Sequence, residues 1–389
     1  MLSYRLQNLE PSPTLSLDAK VKQLQKQGEK IINLGLGEPD FSTPEAIGAA
    51  GIRAIKDGFT HYTPAAGIPE LRAAIATHLK KFNKISYQPE EVVVGVGSKA
   101  LLYNLFQVLC NEDDEVIVAT PTWSTYLEQI KLAGAVPVEI PLEPPFKLTA
   151  DDIEQKIASK TKIILLNSPG NPTGAMIDPI ELKKIGDLAV AKNVYIISDE
   201  IYDRLIYSNT KFVSIASLSE EIKKQVITVN GFSKSYAMTG WRIGFAAGPK
   251  EVIDGLISLQ GQITSNTSSI AQKAAITALE GDQQPVEMMR TQFAQRRDFL
   301  IEEIGKIPNL IFTPPEGAFY FFIGVLDLLD PDRCPSSAAW CSRLLDQEKI
   351  AVVPGEAFHA PGYFRLSFAA SMDDLRRGVE GIKRFASSK

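Results

Sequence analysis

The chain has 389 residues, 44% of them apolar and 22% charged, with a formal net charge of −5. That length is more than one ordinary core accommodates, so a large domain and a smaller one are expected, and the balance excludes a disordered chain. No block of like charges stands out, which argues against nucleic acid or an anionic membrane as partner.

The opening residues MLSYRLQNLEPSPT lack a basic region followed by an apolar stretch, and no run reaches the ~20 apolar residues of a membrane span. Cys110, Cys334 and Cys341 form no CxxC pair, and their odd number argues against a disulfide framework. A cytoplasmic protein is expected. In chain order, SLDAKVKQLQKQG predicts a helix and INLGLGEPDFSTP a loop rich in Gly, Pro and Asp. Apolar, β-branched runs then alternate with amphipathic stretches. EEVVVGVG precedes SKALLYNLFQVLC, DEVIVAT precedes WSTYLEQIKLAG, and KIILLNSP precedes IELKKIGDLAVAKN; NVYIISDEIY and QVITVNGFSK follow. Short, continuous apolar runs separated by helical patterns predict βαβ units, with a mainly parallel sheet flanked by helices. Beyond about residue 285 the pattern changes to α+β: a charged helix, EGAFYFFIGV and YFRLSFA as strands, and AVVPGEAF as an edge segment. The last helix opens on a capping box, Ser371 with Asp374, and places Leu375, Val379 and Ile382 on one face. The expected architecture is α/β, with a large domain over 46–285 and a small α+β domain built from 1–45 and 286–389.

Functional side chains gather where predicted strands end. Asn167 and Asn171 follow IILL, Asp199 follows VYIIS, and Ser233 and Lys234 follow VITVNGF. In an open α/β sheet, ligands bind outside the carboxyl ends of the strands. A lysine in a partly desolvated pocket becomes a nucleophilic amine able to form a Schiff base. A carboxylate keeps a pyridine nitrogen protonated, and an amide can bond a phenolic oxygen. These are a protein's duties towards pyridoxal phosphate. The phosphate needs donors as well: Gly95, Gly97 and Ser98 stand between a strand and a helix start, and Arg242 offers a bidentate fork. Trp123 follows the next strand and can stack on a cofactor ring.

GFSKSYAMTGWRIG (231–244), NSPGNPTG (167–174), SDEIYDRLIY (198–207) and HYTPAAGIPELR (61–72) resemble, in order and separation, four blocks of the class I and II aminotransferases of pyridoxal-phosphate fold type I. The resemblance implies that Lys234 holds the cofactor as a Schiff base and moves a proton between the substrate's Cα and the cofactor. It places Asp199 on the pyridinium nitrogen and Asn171 with Tyr202 on the phenolic oxygen. Ser98, Lys99 through its backbone, Ser233 and Arg242 would hold the phosphate. Tyr62 would reach the phosphate of a neighbouring subunit, which implies a homodimer with shared sites. Arg365 would bind the substrate α-carboxylate, and Gly37 and Trp123 would line that pocket. In the subgroup with a GxKxA block the lysine is associated with a distal carboxylate. Here GSKALL gives that role to Lys99, and Thr14 in PSPT resembles another substrate-side position.

The implied activity is that of the bacterial-type aspartate aminotransferases, which move an amino group from aspartate to 2-oxoglutarate by a ping-pong cycle. Prephenate or a broader amino acid range is an alternative, as is a β-lyase or decarboxylase on the same fold. A cofactor-binding regulator is a further alternative, and the chain lacks the basic DNA-binding segment that would mark one. Gly170 departs from the pattern, which commonly has a second Asn there. His61, His78 and His359 share no metal-ligand spacing, and His78 is expected to pack on a helix face. FYFF (319–322) reads as a buried strand, and NEDDE (111–115) as a solvated turn without a calcium-loop pattern.

Overall fold

The computed structural model describes residues 3–7, 9–207 and 211–387. Its strands in chain order are β1 (Ile32–Asn33), β2 (Val92–Gly95), β3 (Glu115–Thr120), β4 (Val136–Pro141), β5 (Thr161–Asn167), β6 (Tyr195–Asp199) and β7 (Val226–Gly231). There follow β8 (Gly244–Ala247), β9 (Ile311–Phe312), β10 (Tyr320–Gly324), β11 (Ile350–Ala351), β12 (Val353–Pro354) and β13 (Tyr363–Ser367).

Seven strands form one sheet in the order β2-β8-β7-β6-β5-β3-β4. The neighbours from β7 to β4 run parallel, whereas β8 is antiparallel to both β7 and β2. Along β5, Ile163 and Leu165 pack into one apolar cluster and Ile164 and Leu166 into another. Both faces are therefore covered, which is why IILL carries no polar alternation. The five anticipated strands are present, and the sheet holds two more. β4 lies at an edge and carries two prolines, while β8 is the short, small-residue run GFAA, so neither has a strong strand pattern. Gly244 on β8 has a structural reason: a Cβ there would stand 2.7 Å from the backbone nitrogen of Ser98.

The chain steps outward from β3 to β4 and then returns through β5, β6 and β7 on the other side of β3. That reversal makes a crevice at the carboxyl ends of β3 and β5, the expected place for a ligand.

Residues near the two chain ends meet. Ile32 and Asn33 pair in parallel with Ile350 and Ala351, and Ser367 donates its N–H to the Leu34 carbonyl at 2.7 Å. A four-stranded antiparallel sheet, β12-β13-β10-β9, packs its apolar residues with Ile32, Leu34 and the final helix. That helix (Met372–Ser387) is started by Ser371, whose hydroxyl accepts from the Asp374 N–H at 3.1 Å, and it buries Leu375, Val379 and Ile382. His78 is buried against Phe82, and burial lowers its pKa to about 4, so it packs as a neutral ring. His359 Nδ1 lies 2.9 Å from a Glu139 carboxylate oxygen. Among the described residues no helix is long and apolar enough to cross a membrane, and no cluster of His, Cys, Asp and Glu fits a metal ion.

Candidate active site

A cavity of about 400 Å³ opens at the crevice. It is lined by Thr14, Gly37, Ser98, Lys99, Trp123, Asn171, Asp199, Tyr202, Ser233, Lys234, Arg242 and Arg365. The anticipated site residues are thus brought together except Gly95 and Gly97, which lie outside the lining, and Tyr62, which is 89% exposed and outside the cavity of its own chain.

Strand register sets the first layer. Asn167 and Asp199 are partners across β5 and β6, and the Asn167 amide donates to the Asp199 carbonyl at 3.1 Å. Asn167 Oδ1 in turn accepts the Asn171 N–H at 3.0 Å, which holds the NSPGNPTG loop over the strand end. Gly170 is part of that loop: its N–H donates to the Ala175 carbonyl at 2.9 Å.

Asp199 is 2% exposed. One oxygen accepts the Tyr126 hydroxyl at 2.7 Å and the other the Ile201 N–H at 3.2 Å. Burial pushes its carboxyl up to about 6, against the pull of those two bonds and of the Lys234 charge. A cation placed against it would restore the anion. Tyr126 was not anticipated. It sits three residues after Trp123, on the helix Thr125–Leu132, and packs edge-on to the Trp123 ring at 5.3 Å. An apolar helix face concealed it; the only sequence signal was a tyrosine close to the pocket tryptophan.

Lys234 follows β7 and donates to the Gly37 carbonyl. Desolvation first, and then the nearby Arg365 and Arg242 charges, lower its ammonium to about 8, while Glu38 and Asp199 oppose the shift. The neutral amine is therefore accessible near neutral pH.

Helix Ser98–Leu109 starts at the cavity wall, so its first backbone N–H groups have no partner within the helix. Gly97 before it has φ +78°, and a Cβ there would come within 2.9 Å of Arg242 Nη2. The glycine leaves open a cradle between the helix start and the guanidinium. Ser98 Oγ donates to the Asn230 carbonyl at 3.0 Å, and Arg242 Nη1 to the Thr239 carbonyl at 2.9 Å.

At the opposite wall Arg365, from β13, is 2% exposed. Nη1 donates to Asn171 Oδ1 at 3.0 Å and Nη2 to the Gly35 carbonyl at 2.8 Å, with the guanidinium 4.3 Å from the Tyr320 ring centroid. Tyr320 corrects the reading of FYFF. The run is a buried strand, but this hydroxyl lies 3.1 Å from the Tyr202 hydroxyl and lines the cavity. The Lys99 ammonium lies 4.6 Å from the Trp123 ring centroid, and desolvation lowers its pKa.

A buried carboxyl with no ion pair among the described residues, an accessible amine and an open cradle between a helix start and an arginine fit pyridoxal phosphate. Sheet topology and this cavity define a pyridoxal-phosphate enzyme of fold type I. The chain belongs to the aminotransferases of class I and II, whose family model matches residues 29–382. It is 46% identical over 390 residues to the aspartate aminotransferase of Geobacillus stearothermophilus, covering 100% of this chain and 99% of that one. It is also 46% identical over 387 residues to a probable aspartate/prephenate aminotransferase of Aquifex aeolicus, covering 98% of each. Among solved structures, the aspartate aminotransferase of Thermus thermophilus with maleate matches with a TM-score of 0.94 and 40% identity, over 99% of each chain.

Proposed function

We propose that this aminotransferase moves the amino group of L-aspartate, or of another dicarboxylic amino acid, to 2-oxoglutarate in two successive half-reactions. One observation carries the reading: Arg365 and Lys99, two cationic side chains, line a single cavity with Lys234. A dicarboxylate substrate needs a cation at each end, and the Thermus relative was solved with maleate, a dicarboxylate.

Pyridoxal phosphate supplies a carbonyl that exchanges amino groups and a ring that withdraws electrons from the substrate's Cα. Lys234 would hold it through its amine and, once displaced by the substrate's amine, would act as the neutral base that takes the proton from Cα. Asp199, kept in place by Tyr126 and Ile201, would hold the ring nitrogen, and Asn171 and Tyr202 would hold the phenolic oxygen. Ser98, the Lys99 backbone, Ser233 and Arg242 bind the phosphate. Trp123 would pack on the ring. Arg365 grips the α-carboxylate, Lys99 leaves the Trp123 face to meet the distal carboxylate, and Gly37 and Thr14 shape the pocket.

The exposed Tyr62 serves the phosphate of a second subunit, so the active unit is a homodimer. The chain divides into a large domain, 46–285, and a small one of 1–45 with 286–389; the pairing of β1 with β11 supports that division. The three free cysteines suit a cytoplasmic protein. Leu15 and Leu17 add an apolar wall to the cavity, which favours prephenate as a second acceptor.

The test is to add each amino acid alone to the holoenzyme and follow loss of the cofactor's visible band. Aspartate and glutamate should react fastest. Lys99→Met should lower kcat/KM for aspartate by about 10- to 100-fold, the worth of one charged hydrogen bond, and leave alanine nearly unchanged. Fast reaction with alanine or leucine but not aspartate would overturn the dicarboxylate assignment. Ammonia and pyruvate released without an oxo acid would indicate the β-lyase instead.

A further inference from the structure

The turn that ends β6 carries two sets of side chains. Asp199 and Tyr202 line the cavity, whereas Glu200 and Asp203 lie outside its lining. Glu200 and Asp203 are nevertheless only 2% and 7% exposed. Buried carboxyls of this kind are costly unless their partners are specific.

The partners are specific. Asn83 Nδ2 donates to Glu200 Oε2 at 3.3 Å and to Asp203 Oδ2 at 3.1 Å, so one nitrogen bridges both groups. Glu200 Oε1 accepts the Ser198 hydroxyl at 3.0 Å and the Ser214 hydroxyl at 2.6 Å. The Asn230 side chain bonds Asp203, and the Asn230 carbonyl accepts Ser98 Oγ at the cavity wall. The backbone of the turn is tied down as well: the Glu200 N–H donates to the Val229 carbonyl and the Asp203 N–H to the Glu200 carbonyl, each at 2.9 Å. One network thus joins the turn carrying Asp199 and Tyr202 to the strand end that receives Ser98.

Charged and titratable groups surround it on each side. Arg204 supplies positive charge beside Asp203, with its guanidinium over Phe82. Phe82 also contacts Lys81 and His78. The Tyr87 phenol faces Glu200, with Lys223 over its ring and Glu91 and Glu220 near it. Two carboxyls sharing one amide in a dry site cannot both ionise cheaply, so the pair retains a proton. Burial pushes Glu200 up to about 8 and raises Asp203 too.

We propose that Glu200, Asp203 and Asn83 form a buried clamp that positions the turn bearing Asp199 and Tyr202, and that this clamp sets how tightly the cofactor is held. Glu200 is then a positioning residue that never touches the cofactor. The sign follows from linkage. A carboxyl that ionises near 4.5 when unfolded and near 8 when folded contributes fully at low pH, and its contribution falls as pH rises through about 8. Ionising it sets a second anion beside Asp203 in a dry site and loosens the turn.

The inference rests on Asp199 and Tyr202 contacting the cofactor. The experiment measures the rate of cofactor release from the holoenzyme at about pH 6.5 and about pH 9, on either side of the Glu200 midpoint. The native protein should release it several-fold faster at the higher pH. Glu200→Gln, whose amide mimics the neutral carboxyl, should lose most of that dependence, although Lys234 and the phosphate titrate in both proteins. Glu200→Ala should release it about tenfold faster at both pH values, as expected for a buried polar network cut at its centre. The same pH dependence in Glu200→Gln as in the native protein overturns the proposal, as does undiminished retention in Glu200→Ala. If Glu200→Ala does not fold, the Gln comparison decides alone. Asp199→Asn in the same assay separates the two ideas. No effect there removes the underlying cofactor assignment; an effect there with none at Glu200 removes only the clamp.

Discussion

Lys234→Ala is expected to lower turnover by about 10³- to 10⁴-fold, because one side chain supplies both the nucleophile that anchors the cofactor and the base that moves the Cα proton. Its setting prepares it for both duties. Desolvation and the Arg365 charge bring the ammonium down to about 8, so a sizeable fraction is already neutral at physiological pH. The Gly37 carbonyl fixes the amine at the cavity wall. Steady-state kcat with aspartate and the visible spectrum of the bound cofactor report the two duties separately, and both should be lost. A variant that keeps kcat within tenfold of the native value would contradict the assignment.

Arg365 carries the second large effect. Its guanidinium is already oriented by Asn171 Oδ1 and the Gly35 carbonyl, and it packs against the Tyr320 and Phe358 rings. Its Nε has no hydrogen-bond partner among the described residues. Burial also lowers its pKa, which marks a desolvated cation whose charge a carboxylate would compensate. Arg365→Ala should reduce kcat/KM for aspartate by about 10²- to 10³-fold, the worth of a bidentate charge-assisted pair. Arg365→Lys should recover only part of this, since an ammonium keeps the charge and loses the fork. The cofactor's spectrum should change little in either variant. A loss of less than about threefold in Arg365→Ala would show that the α-carboxylate is held elsewhere.

The layout of the large sheet was legible because β3, β5, β6 and β7 are buried on both faces and read as unbroken apolar runs. β4 and β8 were not: prolines at an exposed edge, and a four-residue run with three small residues, carry no strand period. Strand ends drew attention to Asn171, Asp199 and Lys234 because polar residues there interrupt apolar runs. Tyr126 and Tyr320 lacked that contrast. Tyr126 lies on the buried face of an amphipathic helix and Tyr320 in an apolar strand, and each hydroxyl acquires meaning only from what stands opposite, Asp199 for one and Tyr202 for the other. Glu200 and Asp203 were hidden for a different reason. In SDEIYD they are acids three positions apart, of the kind that usually face water, and only the turn geometry and Asn83, more than a hundred residues earlier, make them a buried pair.

The most direct test of the whole account is chemical. Borohydride reduction of the holoenzyme, followed by digestion and mass spectrometry, should leave a single pyridoxyl group, on the peptide containing Lys234. A chain that remains unlabelled, or carries the label on another lysine such as Lys99, would contradict it.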